Sequence, residues 1–343
     1  MSGTPRLFAP GAFLRWAVRL AVAGALLFLV FRMALPQNEG GAAVAIMAAW
    51  RTGPVPAAGW FALSFGLFGV SFAVGASRFS MLLAGAGMSL RWWTLFRAYL
   101  VASFFNLALP GAILGDVYRV WDVRREAGEG SRALGIVAVE RLLGFSALGC
   151  LGLIAAPFLP LAPEDRYFAV VLIGVCALIA VVAALALHPR ANRWLRNLGA
   201  PIARISARAA STFDNALRAV ADLAESPRVL ARAFGLSLVN QGLPVAAVYC
   251  LAIPLVSSTA WYWFAIIVPF VTLVSLVPIS IGGTGVREYL YVTLFGAVGM
   301  PSEVALALSL SLLGTAILWA LVGFAIFSFD RRHGRAPVEN PAA

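Results

Sequence analysis

From Trp60 to Gly85 the chain carries one charged side chain, Arg78, in an otherwise apolar run long enough to cross a bilayer. Comparable runs fall at about Phe13–Leu35, Arg132–Pro157, Tyr167–Leu187, Ala233–Ile253, Trp261–Val277 and Glu303–Phe329. Hydrocarbon offers the backbone no hydrogen-bond partner, so such segments must be helices or close into a barrel. A barrel needs short strands of alternating polarity, and none is visible. With 61% hydrophobic and 12% charged residues, the composition excludes an ordinary soluble fold. The expected class is an all-α polytopic membrane protein with about seven full spans and two broken or re-entrant hairpins.

The net charge of +11 invites a nucleic-acid reading, but its placement opposes one. The basic residues, all arginine, gather in a few loops between apolar runs, which is the positive-inside pattern. Arg15 and Arg19 start the first span and Arg331, Arg332 and Arg335 follow the last, so both termini are expected in the cytoplasm of a bacterial inner membrane. The first span's core, Leu20 to Phe31, has signal-peptide length, yet no small-x-small cleavage site follows directly, and it is expected to remain as an anchor. Arg78 is the deepest arginine of the second span, and snorkelling is its simplest explanation. The expected organisation is one transmembrane domain over residues 1–335, a flexible tail at 336–343, and no appended soluble domain.

Residues 188–232 read as a cytoplasmic linker. Within it Ile202, Ile205, Ala209, Phe213, Leu217, Val220 and Leu223 recur at helical spacing opposite a charged stripe. Such an amphipathic helix either lies on the anionic inner leaflet or packs on the protein's own cytoplasmic face. Cys150, Cys176 and Cys250 fall inside apolar runs without metal-ligand spacing, and His188 and His333 stand alone. Neither a metal nor another cofactor is expected.

Two stretches interrupt the apolar pattern. Val277-Pro278-Ile279-Ser280-Ile281-Gly282-Gly283-Thr284-Gly285-Val286-Arg287-Glu288 breaks a span with a proline and three glycines, then adds an adjacent ion pair. Far upstream, Asn106-Leu107-Ala108-Leu109-Pro110-Gly111 leads through Gly115 and Asp116 to Arg119. Broken backbone at membrane depth is tolerated only inside protein or beside a wet cavity, and ionisable residues there are usually functional. Charge bias makes the segment at about 92–131 start and finish inside, and that at about 260–299 start and finish outside. Residues 60–157 and 233–329 then form two units of opposite orientation, an inverted repeat of the kind transporters use. The alternative is that each hairpin spans twice with a glycine-rich turn.

Half-helix N-termini suit an anionic head group, and glycine lets backbone approach a ligand closely. Arg287 and Arg119 are candidates to hold phosphate, with Asp116, Glu140 and Glu288 balancing charge or relaying protons. Asn106, Pro110, Gly115, Arg141, Gly282, Gly283 and Gly285 complete the candidate translocation set. Against this stands a purely structural reading, in which Arg287–Glu288, Asp116–Arg119 and Glu140–Arg141 are ion pairs that lock helices together. No catalytic residue is assigned, since no nucleophile-and-base set is present.

Leu276 through Glu288 resembles the signature of the lysylphosphatidylglycerol synthase transmembrane region, also called the flippase-like domain family. The run from Asn106 to Arg119 and Glu140-Arg141-Leu142-Leu143 resemble its other two signatures, and the likeness covers nearly the whole chain. Asp116 stands where glutamate is common, and Gly144 where many members carry an acid. In full-length synthases this region is thought to move an aminoacylated lipid that a soluble domain makes. The resemblance therefore implies a flippase for an anionic, aminoacylated or glycosylated lipid, acting on membrane lipids beside lipid-biosynthesis enzymes at the cytoplasmic face. Its rivals are an intramembrane lipid-modifying enzyme and an accessory scaffold of a lipid or hopanoid pathway.

Overall fold

The computed structural model describes residues 57–108, 114–159, 207–256, 259–275 and 285–332, with isolated positions at 51 and between 170 and 181. Along these residues run α1 (Ala57–Gly85), α2 (Trp92–Ala108), α3 (Leu114–Ala127), α4 (Gly130–Ala155), α5 (Ala207–Ala224), α6 (Pro227–Ala252), α7 (Trp261–Ser275), α8 (Val286–Ala297) and α9 (Ser302–Arg332). No strand occurs among them. Helices α1, α6, α9, and α4 with the 3₁₀ turn that follows it, are long and apolar enough to cross a membrane. The chain is an all-α membrane protein. The expected span at 13–35 lies outside the described residues, as does most of that at 167–187.

The two interrupted regions form short helices. α2 and α3 have 17 and 14 residues and α7 and α8 have 15 and 12, below the roughly 20 needed to cross hydrocarbon. Local sequence explains their ends. Gly87 takes φ 77° after α1, with its N–H on the Ala84 carbonyl and the Met88 N–H on that of Leu83. Gly299 closes α8 in the same way at φ 87°, through Gly296 and Phe295. Both are Schellman caps, which need the left-handed backbone that glycine adopts without strain.

Two hydrophobic cores hold the bundle. One joins α1–α5 and the start of α6 around Phe79, Leu82, Leu95, Ile136 and Leu223. The other joins α6–α9 and the end of α4 around Leu251, Phe264, Ile266, Phe295 and Leu306. The longest contact runs between α1 and α6, while α2 packs on α9 and α7 on α4. Exchanging α1–α4 for α6–α9 maps nearly all of these pairings onto one another. The exception is that α4 lies along α6, whereas α9 reaches α1 through Trp319, stacked on Phe65 at 4.5 Å and donating from Nε1 to the Phe65 carbonyl at 3.2 Å.

Two readings of the amphipathic segment were open, and α5 takes the packed one. Ala219 and Leu223 are fully buried, and a β-carbon at Gly135 of α4 would overlap the Ala216 carbonyl. Arg132 adds bonds to the Ala86 carbonyl at 2.7 Å and to Asp222 at 3.3 Å. Residues 202–206 of the expected stripe lie outside the described set.

Candidate functional site

Helix periodicity sets the geometry of the charged cluster. Asp116 and Arg119 lie three residues apart and share one face of α3, with Asp116 in the first turn, where a carboxylate suits the helix dipole. The Arg119 guanidinium bonds Asp116 through Nη2 and Glu140 of α4 through Nη1, the latter at 2.7 Å. Arg141 holds the other Asp116 oxygen at 2.6 Å. Tyr99 of α2 donates its hydroxyl to Glu140, and its ring lies under the Arg119 guanidinium at 4.4 Å. Expectation fails at Arg78. Its side chain is buried and donates to Glu140 at 2.7 Å and to Ser237 of α6 at 2.9 Å, so it does not snorkel to the surface. A carboxylate partner at membrane depth is worth more to a guanidinium than a strained reach for water.

Asn106 and Gly115 form a local device. The Asn106 side-chain oxygen accepts the Gly115 N–H at 2.9 Å, and a β-carbon at Gly115 would sit 2.6 Å from that oxygen. Glycine here permits α2 and α3 to close on each other. The equivalent end of α8 is also self-capped, since Glu288 accepts the Gly285 N–H at 2.5 Å, where Gly285 has φ 88°. These two N–H groups therefore serve the fold and are not open to an anion. Glu288 is fully buried and also takes Arg287 at 2.7 Å and Ser309 at 3.4 Å.

A cavity of about 500 Å³ joins the two regions. Its charged lining residues are Arg78, Asp116, Arg119, Glu140, Arg141 and Arg287. Phe68, Phe72, Leu107, Phe145, Val245 and Trp319 are among its apolar ones. Asn106, Asn240 and Gln241 also face it. Of the candidates read from sequence, Gly115, Gly285 and Glu288 stand behind this wall as supports, and Pro110, Gly282 and Gly283 lie outside the described residues. The expected ion pairing of Glu140 with Arg141 is replaced: Glu140 turns to Arg78 and Arg119, and Arg141 to Asp116. Neighbours in a helix point about 100° apart, so they share a face poorly.

Sequence reasoning missed Arg78, Tyr99, Ser237 and Trp319 as parts of the site. A lone arginine inside an apolar run was the available signal for Arg78. Tyr99 and Trp319 carried none, because aromatic residues are common throughout these helices. Among the described residues no group of three His, Cys, Asp or Glu side chains is placed to hold a metal ion.

A search of curated proteins finds no match to the chain. The family model described as the lysylphosphatidylglycerol synthase TM region, by contrast, matches residues 16–332, which include every helix and every cavity residue described above, and the chain belongs to that family.

Proposed function

We propose that this membrane protein takes a lipid head group into the cavity lined by α1–α4 and α6–α9 and passes the lipid from one leaflet to the other. The supporting observation is the mixed lining of the cavity. Six charged side chains and a set of aromatic and aliphatic ones line the same space, which suits a molecule with a polar head and apolar tails. At about 500 Å³ the space suits a head group and the upper part of its chains. The family's name refers to synthesis of an aminoacylated phospholipid, which agrees with a lipid as the cargo. The symmetric pattern of helix packing supports two inverted units, about 60–157 and 233–329, that rock against each other. In the same reading the protein sits in an inner membrane with both termini cytoplasmic, the side where Arg331 and Arg332 would face anionic lipid.

The test is translocation of fluorescent phospholipid in proteoliposomes, read by quenching of the outer leaflet. Arg119→Gln is the informative variant. It leaves Asp116 with Arg141 and Glu140 with Arg78, so each carboxylate keeps a partner. The wild-type protein is expected to exceed protein-free vesicles, and the variant to fall at least about tenfold below it. Equal rates in wild type and folded variant, or no rate above protein-free vesicles, would overturn the proposal.

A further inference from the structure

We infer that the head group accepted by this cavity is a single net-monoanionic phosphodiester, and not a cationic aminoacylated one. The inference rests on the lipid-binding reading above and narrows it by charge.

Four guanidinium groups line the cavity, those of Arg78, Arg119, Arg141 and Arg287. Two carboxylates line it, Asp116 and Glu140, and Glu288 lies directly behind Arg287. These seven side chains thus hold four cations against three anions, an excess of one positive charge. Arg78 and Arg119 are each 5% exposed and Glu140 2%, so water does little to spread that excess.

All six oxygens of the three carboxylates already accept bonds from the protein. Glu140 takes Tyr99 and Arg78 on Oε1 and Arg119 on Oε2. Asp116 takes Arg119 on Oδ1 and Arg141 on Oδ2. Glu288 takes Arg287 and Ser309 on Oε1 and the Gly285 N–H on Oε2. An incoming ammonium would have to share a carboxylate whose charge a guanidinium already offsets.

Unused donors, by contrast, remain. Arg78 Nε is buried without a hydrogen-bond partner, although the other two nitrogens of the group are engaged. Ser275 Oγ is likewise buried and unpartnered, and both residues line the cavity. Gly144 leaves room beside Arg78: a β-carbon there would stand 3.1 Å from Gln241 Nε2 and 3.9 Å from Arg78 Nη1. Buried polar atoms normally find partners, so orphaned donors at a cavity wall point to an acceptor that arrives with the ligand. A phosphodiester supplies one delocalised negative charge on two acceptor oxygens, a good match to guanidinium. A phosphomonoester carries about −1.5 to −2 and overshoots the excess. A neutral sugar leaves the charge unbalanced.

The experiment compares lipids on the purified full-length chain in neutral detergent, with binding read as a concentration-dependent thermal shift. Phosphatidylglycerol, phosphatidylethanolamine, lysylphosphatidylglycerol, phosphatidic acid and the soluble glycerophosphoglycerol head group are the probes. Phosphatidylglycerol is expected to bind about tenfold or more tightly than each of the others. Arg78→Gln, which cancels the excess charge, is expected to shrink its advantage over phosphatidylethanolamine to within about threefold. Arg78→Lys, which retains the charge but lacks Nε, should keep the ranking with weaker binding. Preference for lysylphosphatidylglycerol or phosphatidylethanolamine would overturn the charge inference while lipid binding stands. A shift with the soluble head group equal to that with phosphatidylglycerol would remove the lipid as the source. No shift with any lipid would overturn both readings. The wild-type ranking decides even if a variant fails to fold.

Discussion

The hairpin of α2 and α3 and that of α7 and α8 share a plan and differ in chemistry. Each second helix opens with an acid at its third position, Asp116 in α3 and Glu288 in α8. Three residues later each turns a buried side chain inward, Arg119 in the first and Tyr291 in the second. Arg119 reaches across to Glu140 and so joins α3 to α4 and α1 by charge. Tyr291 meets Phe295 at 5.4 Å and belongs to the apolar core of α6–α9. Glu288 is spent on capping its own helix and neutralising its neighbour Arg287. One hairpin therefore supplies two of the cavity's six charged side chains and ion-pairs with two more, while the other supplies a single cation and much of the packed support. A shared backbone plan does not imply a shared role; the residue three positions after the acid and its partner across the bundle decide it.

That contrast makes Glu140 the most sensitive point. Glu140→Gln would leave Arg78 and Arg119 buried with Asp116 as the remaining nearby anion, a loss of about 3–5 kcal/mol of stability, read by denaturant unfolding in detergent. A loss no larger than that of Glu288→Gln would erase the distinction between the two regions. Trp319→Ala tests the seam where the packing symmetry fails. The ring there stacks on Phe65 and meets Phe72 edge-on, so removal should cost roughly 2–4 kcal/mol, read by denaturant unfolding in detergent. An unchanged unfolding midpoint would show that α9 and α1 hold together without it. Glu288→Gln should cost about 1–2 kcal/mol, because the amide oxygen can still cap Gly285 while Arg287 loses its counter-ion beside a cavity. Asn106→Ala is the mildest, at about 1 kcal/mol for one lost cap, and its effect should vanish in a chain already carrying Gly115→Ala, where the two helices are forced apart. Additive losses in that double variant would show that Asn106 acts elsewhere.

Much of this architecture is legible without coordinates. Apolar runs with few charges mark α1, α4, α6 and α9, since hydrocarbon tolerates nothing else of that length. The glycine and proline breaks mark the places where spans divide, and an acid three residues before Arg119 marks a helical pair. Less legible was the pairing of Glu140. Its partners Arg78 and Tyr99 lie 62 and 41 positions away, and no periodicity connects residues on different helices. Adjacency misled at Glu140 and Arg141, where sequence neighbours point to different sides of one helix.

Sequence alone determined the membrane-embedded helical class, the position of both breaks and the surplus of arginine, because bilayer thickness and backbone hydrogen bonding constrain each segment independently of the others. Tertiary structure decided that Arg78 turns inward, that α5 packs on the bundle, and that six charged side chains from α1, α3, α4 and α8 meet at one cavity. Those outcomes depend on which helix faces come together, and a buried charge settles on whichever opposite charge the packing brings within reach.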